Sequence, residues 1–104
     1  MSRDNKAPMS LMQWEPATQE KFNLIISKMP VFHRRIAEEA VSLKAEENAA
    51  ERKGASVEEQ DVVAAFFTDV PIPFYSMMIR LLEQNGLDYK RYGFPKNGNE
   101  RITP

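Results

Sequence analysis

The run with the clearest chemical potential is His33-Arg34-Arg35, three consecutive potential cations at the predicted start of a helix. The helix dipole disfavours positive charge at this end by roughly a few tenths of a kcal/mol. An anion bound there would be held by backbone N–H groups and by arginine side chains together. The plainer interpretation is that each arginine pairs with the glutamate four residues later. The sequence leaves both interpretations open.

Two aromatic side chains are expected near this basic run. Phe32 directly precedes it, and Trp14 lies next to it if the first helix folds back. In a ligand role, Arg34 would hold a carboxylate while the aromatic rings cover a flat face of the ligand. Alternatively, the rings only fill the core of a small helical domain. The candidate ligand- or partner-binding residues are therefore Trp14, Phe32, His33, Arg34 and Arg35.

Most catalytic chemistry is not indicated. The chain has no cysteine, which excludes disulfides, iron–sulfur ligation and thiol nucleophiles. One histidine is too few for an ordinary histidine-based zinc site or catalytic triad. The acidic turn around Glu58 and Asp61 is interpreted as helix capping, with a metal or acid–base role as the lesser alternative. We expect no catalytic residue, no metal and no cofactor, and a stand-alone enzyme is not indicated.

The length and charge of the chain are typical of one small domain. It has 104 residues, 14 basic and 15 acidic side chains and a net charge of −1. That balance gives no general attraction to nucleic acid or to an anionic membrane. No run approaches the roughly 18 apolar residues of a membrane span, and the first ten residues lack the apolar core of a signal peptide. We expect a cytoplasmic protein with no membrane contact, for which nucleic acid is an improbable partner.

Apolar residues at helical spacing predict four helices. The predicted helices span residues 17–29, residues 32–53, a stretch from Ser56 to just before Pro71, and residues 74–84. The second is expected to bury a stripe of Ile36, Ala37, Ala40, Leu43 and Ala50, and to end with Gly54 in the C′ position. The third is expected to open with a capping box of Ser56 and Glu59.

No segment alternates with a period of two, so no sheet is predicted. The fold class is therefore all-α, a small bundle of about four helices with disordered termini. A single helical domain spans residues 14–95, and residues 1–13 and 96–104 are flexible tails. The aromatic segment 87–95 either folds back over the helices or presents a partner surface, and the sequence favours neither.

Between Trp14 and Ala64, several residues follow one another in the order of a known family pattern. They are Trp14, Ala17, Leu24, Pro30, Phe32-His33-Arg34, Glu47, Ala50, Gly54 and the capped helix from Ser56 to Ala64. This order resembles the small helical domain at the C-terminus of the B subunit of light-independent (dark-operative) protochlorophyllide reductase. That domain also occurs in short stand-alone proteins. The resemblance covers about half of the chain.

For the reductase, the resemblance implies ATP-driven reduction of a tetrapyrrole ring with an iron–sulfur cluster held by large nitrogenase-like domains. The present chain has no cysteine for such a cluster. The resemblance therefore implies a non-catalytic accessory module of chlorophyll biosynthesis and photosynthesis, at most one part of an oxidoreductase of this type. The implied partners are a subunit of the enzyme or a tetrapyrrole-like ligand, whose propionate Arg34 would hold.

Two other classes of protein are considered. A long central helix followed by a short capped helix is also typical of part of a histone fold, which predicts a structural or dimerising protein without a small-molecule ligand. A helical DNA-binding protein is the third candidate. A sequence pI of about 5.8 argues against it, because DNA-binding surfaces are basic.

Overall fold

The computed structural model describes residues 12–94, and four α-helices make up most of this range. The helices are α1 (Pro16–Ser27), α2 (Val31–Glu51), α3 (Glu59–Asp69) and α4 (Tyr75–Gln84). Two short strands are β1 (Gln13–Trp14) and β2 (Ser56–Val57), and two 3₁₀ turns lie at Ile72–Phe74 and Tyr89–Tyr92. The prediction of a small all-α bundle of four helices is confirmed. The predicted tails at residues 1–11 and 96–104 lie outside the described residues.

The first helix begins at Pro16, where a missing N–H costs nothing because that group would be unpaired in any case. Its last residue is Ser27, two residues before the predicted end, and the following turn leads into Pro30. The residues that this helix buries are Thr18, Phe22, Ile25 and Ile26. The helix therefore presents one face to the core, as its spacing predicts.

The core side of α2 packs most extensively against α3. Val41, Ala45 and Ala49 form its buried face, and each is at most 1% exposed. These side chains recur every four residues, so they lie on one face of the helix. Because they are small, the α2 backbone can lie close to α3.

The predicted core stripe of α2 is wrong. Ile36 and Leu43 are 69% and 52% exposed, and Ala40 and Ala50 are also exposed. Ala37 alone of that set is half-buried and packs against the core. The helix has two apolar faces, and the one with the smaller side chains is the one that meets α3 in the bundle. The larger side chains of the second face remain at the surface.

The end of α2 also differs from the prediction, because Lys53 takes the left-handed conformation expected of Gly54. Lys53 has a φ of 60°. The N–H groups of Lys53 and Gly54 donate to the carbonyls of Ala50 and Ala49, at 3.0 and 2.9 Å. This is a Schellman motif. Gly54 is needed for a different reason, since a Cβ there would overlap the Arg52 guanidinium.

The prediction of no sheet is wrong for four residues. Gln13 and Trp14 pair in parallel with Ser56 and Val57, and the N–H of Glu15 donates to the carbonyl of Val57 at 3.0 Å. Gln13 is therefore not part of a flexible tail, although the tail was predicted to extend that far. A strand of two residues is too short to show a period-two pattern, so the sequence carried no signal for it.

The capping box of α3 lies two residues later than predicted. Glu58, not Ser56, is the N-cap, and its partner is Asp61 rather than Glu59. The Asp61 carboxylate accepts the Glu58 N–H at 2.8 Å. The shift follows from the strand pairing, because Ser56 is held in extended backbone by β1 and cannot also start the helix.

The remaining helices and the C-terminal segment complete the core. In α3 the buried apolar residues are Val62, Val63, Ala65, Phe66 and Phe67. In α4 the buried residues are Met78, Leu81 and Leu82. After α4 the chain folds back, burying Leu87 and Tyr89, and the Phe94 ring stacks on Phe67 at 5.0 Å. The segment that the sequence left open is therefore docked on the helices.

Candidate functional site

An apolar groove lies between the first half of α2 and the start of α4, with a cavity volume of about 140 Å³. Its lining residues are Met29, Pro30, His33, Ile36, Ala37, Ala40, Val41, Asp69, Val70, Phe74 and Met77. Among them only His33 and Asp69 are ionisable. This cavity, hereafter the α2–α4 groove, is therefore suited to apolar groups.

The exposed apolar face of α2 continues from this groove. The outer stripe consists of Phe32, Ile36, Ala40 and Leu43, which are spaced three or four residues apart and so share one face. Phe32 is 76% exposed, the highest value among the large apolar side chains at this surface. Ile36 and Ala40 belong to both the stripe and the groove. The two features form one apolar surface.

His33 connects the outer stripe to the turn before α4. Its ring centroid is 4.4 Å from that of Phe32 and 6.1 Å from that of Phe74. Phe74 is 46% exposed, and Ile72 in the same turn is 69% exposed. The structure thus brings Phe32 and His33 together, as the sequence predicts, and adds the turn as a second wall.

Arg34 has a structural role in this arrangement. Its guanidinium donates to the carbonyl oxygens of Met29 at 3.1 Å and Ser27 at 2.8 Å. Helix C-termini leave such carbonyls without partners in the helix, and a cation also suits the negative end of the dipole. Arg34 therefore caps α1 and positions α2 relative to it. The predicted pairing of Arg34 with the acid four residues later is wrong.

Arg35 pairs with the glutamate four residues later, as the plainer interpretation of the sequence predicts. Its Nε lies 3.5 Å from the Glu39 carboxylate, and the two side chains are 83% and 70% exposed. An ion pair so open to water contributes little to stability. Arg35 is therefore available at the rim of the outer stripe as a charge for a partner.

Trp14 lies elsewhere, and the expectation that it sits next to the basic run is wrong. Its Nε1 donates to the Glu46 carboxylate at 2.9 Å, and its ring packs 5.2 Å from Phe22. Glu46 lies 13 residues beyond His33 on α2, which corresponds to about 20 Å along the helix. Trp14 borders a separate surface depression of about 560 Å³ along α1, which Gln19, Asn23 and Leu24 also line.

The strongest polar cluster supports the fold. Asp61 is 2% exposed, and its carboxylate accepts two hydrogen bonds from Arg52, at 2.9 and 2.7 Å. The hydrogen bond to Asp61 raises the pKa of the Arg52 guanidinium above its ordinary value. The same guanidinium donates to the carbonyl of Ser56 at 3.0 Å. This cluster ties the end of α2 to β2 and α3.

Within residues 12–94, no group of three or more His, Cys, Asp or Glu side chains is placed to hold a metal ion. The pKa values of Arg52, Tyr89 and Tyr92 are raised, and these three residues do not line the groove. In that same range no helix combines the length and the apolar character needed to cross a membrane. The distinguishing feature of the described surface is therefore its apolar groove and stripe.

Comparison of the chain with models of protein families, with curated proteins and with solved structures finds no match in any of the three.

Sequence reasoning missed several groove residues because it assigned them to the core. Ile36, Ala37 and Ala40 line the groove, although their spacing assigned them to the core stripe of the second helix. One signal was present in the sequence. The second helix contains the predicted stripe and a second, independent stripe of Val41, Ala45 and Ala49. A helix in a four-helix domain needs one such face for the core, so the other was available for binding.

Proposed function

We propose that this chain is a non-catalytic binding module of the cytoplasm that recognises a protein partner through the α2–α4 groove and the outer stripe. The observation that carries the proposal is the continuity of the two. Phe32, Ile36 and Phe74 are all substantially exposed around one apolar cavity. Contiguous apolar patches on small proteins mark interaction sites, whereas scattered apolar side chains do not.

The dimensions of the groove favour a protein partner over a small molecule. Its volume is about 140 Å³. A cavity of about 150 Å³ accommodates a benzene-sized group. Sites for drug-sized ligands and cofactors are usually about 300–1,000 Å³. The groove therefore suits one apolar side chain of a partner, as when an amphipathic helix inserts its anchor residues into a groove.

The resemblance to the reductase domain suggests the identity of the partner. It supports a subunit of an enzyme of the light-independent protochlorophyllide reductase type, and with it a place in chlorophyll biosynthesis. It also supports a tetrapyrrole-like ligand as a second possibility. The protein partner is favoured because the Arg34 guanidinium, which would have to bind a propionate of the tetrapyrrole, already donates to two backbone carbonyls of the chain itself.

Site-specific photocrosslinking in the cell of origin tests the proposal. The photoreactive amino acid p-benzoylphenylalanine replaces Phe74 in the groove and, in a matched control, Leu24 on α1. Leu24 is similarly exposed, at 44% against 46% for Phe74, but does not line the groove. We expect protein adducts from position 74 and none from position 24. Adducts should disappear when Ile36→Glu is added to the position-74 variant.

A titration followed by two-dimensional ¹⁵N–¹H NMR covers the other ligand classes. The probes are a carboxylated porphyrin and a short DNA duplex, each added to the full chain. No adduct from position 74, together with porphyrin-induced shifts around His33, would replace the protein partner with a tetrapyrrole. Shifts with the DNA duplex would overturn the proposal in favour of nucleic-acid binding. Absence of both adducts and shifts would leave a structural protein.

A further inference from the structure

We infer that the partner that covers the outer stripe is a second copy of this chain, with the two α2 helices packed antiparallel about a twofold axis near Ala40. The inference rests on the proposed function, since it names the occupant of the same surface. Three features of α2 carry it: the spacing of its apolar side chains, the placement of its charges and the area that it exposes.

The spacing gives a stripe that can pair with itself. Phe32, Ile36 and Leu43 lie on one face over the first two-thirds of the helix, with the small Ala40 between the last two. A small residue at the crossing point allows helix axes to approach to about 8–10 Å. A twofold axis level with residues 40–41 brings Leu43 of the second copy level with residues 37–39, beside the mouth of the α2–α4 groove. The groove would then receive an apolar side chain from the second copy.

The charges of α2 select the antiparallel orientation. The first turn contains no acid and is followed by the exposed Arg35, while the last turn contains no base and is preceded by the exposed Glu47. This arrangement opposes the dipole of the helix itself. In an antiparallel pair, the basic start of each helix lies beside the acidic end of the other.

Individual exposed charges agree with this register. Arg35 of one chain is level with residues 45–47 of the other, where the Glu47 side chain is 53% exposed. A parallel pair in register would instead set Arg35 against Arg35 and Glu47 against Glu47, and like charges at an interface reduce affinity.

The exposed area matches what a dimer of this size requires. If a fully exposed large side chain contributes about 150–200 Å², the outer stripe and Phe74 expose on the order of 500 Å² of apolar surface. A standard interface buries about 800 Å² per partner. Roughly 65% of a homodimer interface is apolar, or about 500 Å². Pairing about a twofold axis is also closed, so the assembly ends at two chains.

Sedimentation equilibrium of the full chain between about 5 and 500 µM tests the inference. We expect a concentration-dependent species of about twice the 12.0 kDa chain mass. Leu43→Glu should weaken the dimer at least about tenfold, because it places a charge at the apolar contact. Leu24→Glu, on α1 outside the stripe, should leave it unchanged. A chain that remains monomeric at 500 µM, or a dimer that responds equally to both variants, overturns the inference.

Spin labels test the orientation. The sequence contains no cysteine, so the substitution Glu51→Cys allows one spin label to be attached to each chain. At 1.5 Å per residue, labels at position 51 should be about 30 Å apart in the antiparallel dimer and about 10 Å apart in a parallel one. The shorter distance would overturn the inference.

Failure of this inference and failure of the proposed function are distinguishable. In the photocrosslinking experiment, a self-adduct of about twice 12.0 kDa supports both. Adducts from position 74 that contain a different protein, with no self-adduct and no dimer in the centrifuge, overturn the second copy while supporting the binding module. No adduct at position 74 and no dimer overturn both.

Discussion

At the scale of the residue, the ion pair between Arg52 and the buried Asp61 has a large energetic consequence. The Asp61 carboxylate is 2% exposed and is satisfied by two bonds from Arg52 and one from the Glu58 N–H. A buried carboxylate that loses its cation is strongly destabilising, because desolvation of the charge is no longer offset. The pair therefore holds the end of α2, β2 and the start of α3 in one arrangement, and both residues are needed for it.

Replacement of Arg52 should accordingly be costly. We expect Arg52→Ala to lower the free energy of unfolding by about 2–3 kcal/mol, somewhat below the value for a fully buried pair because 30% of the Arg52 side chain is exposed. Urea unfolding followed by circular dichroism measures the change. Arg35→Ala, which removes an open ion pair, is the control and should cost at most about 0.5 kcal/mol. Equal losses in the two variants would show that the Asp61 contact is not special.

At the scale of the element, α2 contributes both to the core and to the proposed binding surface. One face, with Val41, Ala45 and Ala49, packs on α3, while Ile36 and Leu43 on another face are exposed. Its C-terminus is closed by a Schellman motif in which a lysine occupies the left-handed position. A side chain with a Cβ is strained in this conformation, and glycine is not. Lys53 therefore makes the folded protein less stable than a glycine at the same position would.

Relief of that strain should stabilise the protein. We expect Lys53→Gly to raise the free energy of unfolding by about 0.5–1 kcal/mol, since glycine adopts the φ of 60° without a steric cost. The measurement is again urea unfolding by circular dichroism. The matched control is Ala55→Gly two residues later, where φ is not positive and added chain entropy should destabilise. A loss of stability in Lys53→Gly would contradict the strain argument.

How far the sequence predicts the structure can be traced along the same helices. Four helices and the core of α3 follow from apolar spacing, since that signal is strong over ten or more residues. The face that α2 buries did not follow, because spacing alone cannot rank two apolar stripes on one helix. The capping box of α3 was displaced by the strand pairing of Ser56, a contact with Gln13 that is remote in sequence. Of the candidate binding residues, His33 lines the groove and Phe32 lies on the outer stripe. Arg34 and Trp14 are occupied by contacts that depend on how α1 packs.

At the scale of the whole molecule, the C-terminal segment closes one side of the bundle. Tyr89 is 6% exposed and donates its hydroxyl to the Glu83 carboxylate at 2.7 Å, while Phe94 stacks on Phe67. The hydrogen bond to Glu83, together with burial, raises the pKa of Tyr89 above its ordinary value of 10.0. Burial is the main reason that the pKa of Tyr92 is also raised. The packing of the C-terminal segment therefore stabilises the neutral form of both Tyr89 and Tyr92.

This gives the protein a dependence on alkaline pH. A raised pKa means that the neutral tyrosine contributes stability that is complete below about pH 10 and is lost as the pH rises through the higher pKa of the folded state. We expect the melting temperature in thermal scans by circular dichroism to fall as the pH is raised above about 10. Tyr89→Phe, which cannot ionise at that ring, should be less stable at neutral pH but fall less steeply. If the melting temperatures of the wild type and the variant fall equally steeply with pH, ionisation of Tyr89 is not the cause.

The attachment of β1 has a consequence for how folding of this chain can be observed. Trp14 is the single tryptophan, and it lies on the short strand that joins β2 from more than forty residues away in sequence. Joining them closes a loop that contains all of α1 and α2, and such a non-local closure is entropically separate from helix formation within that loop. Intrinsic fluorescence therefore reports the closure of this loop, while circular dichroism reports the helices. If the fluorescence and circular dichroism transitions coincide, the loop and the helical bundle form as one cooperative unit. A fluorescence change without a change in circular dichroism would mean that β1 has detached from an intact core.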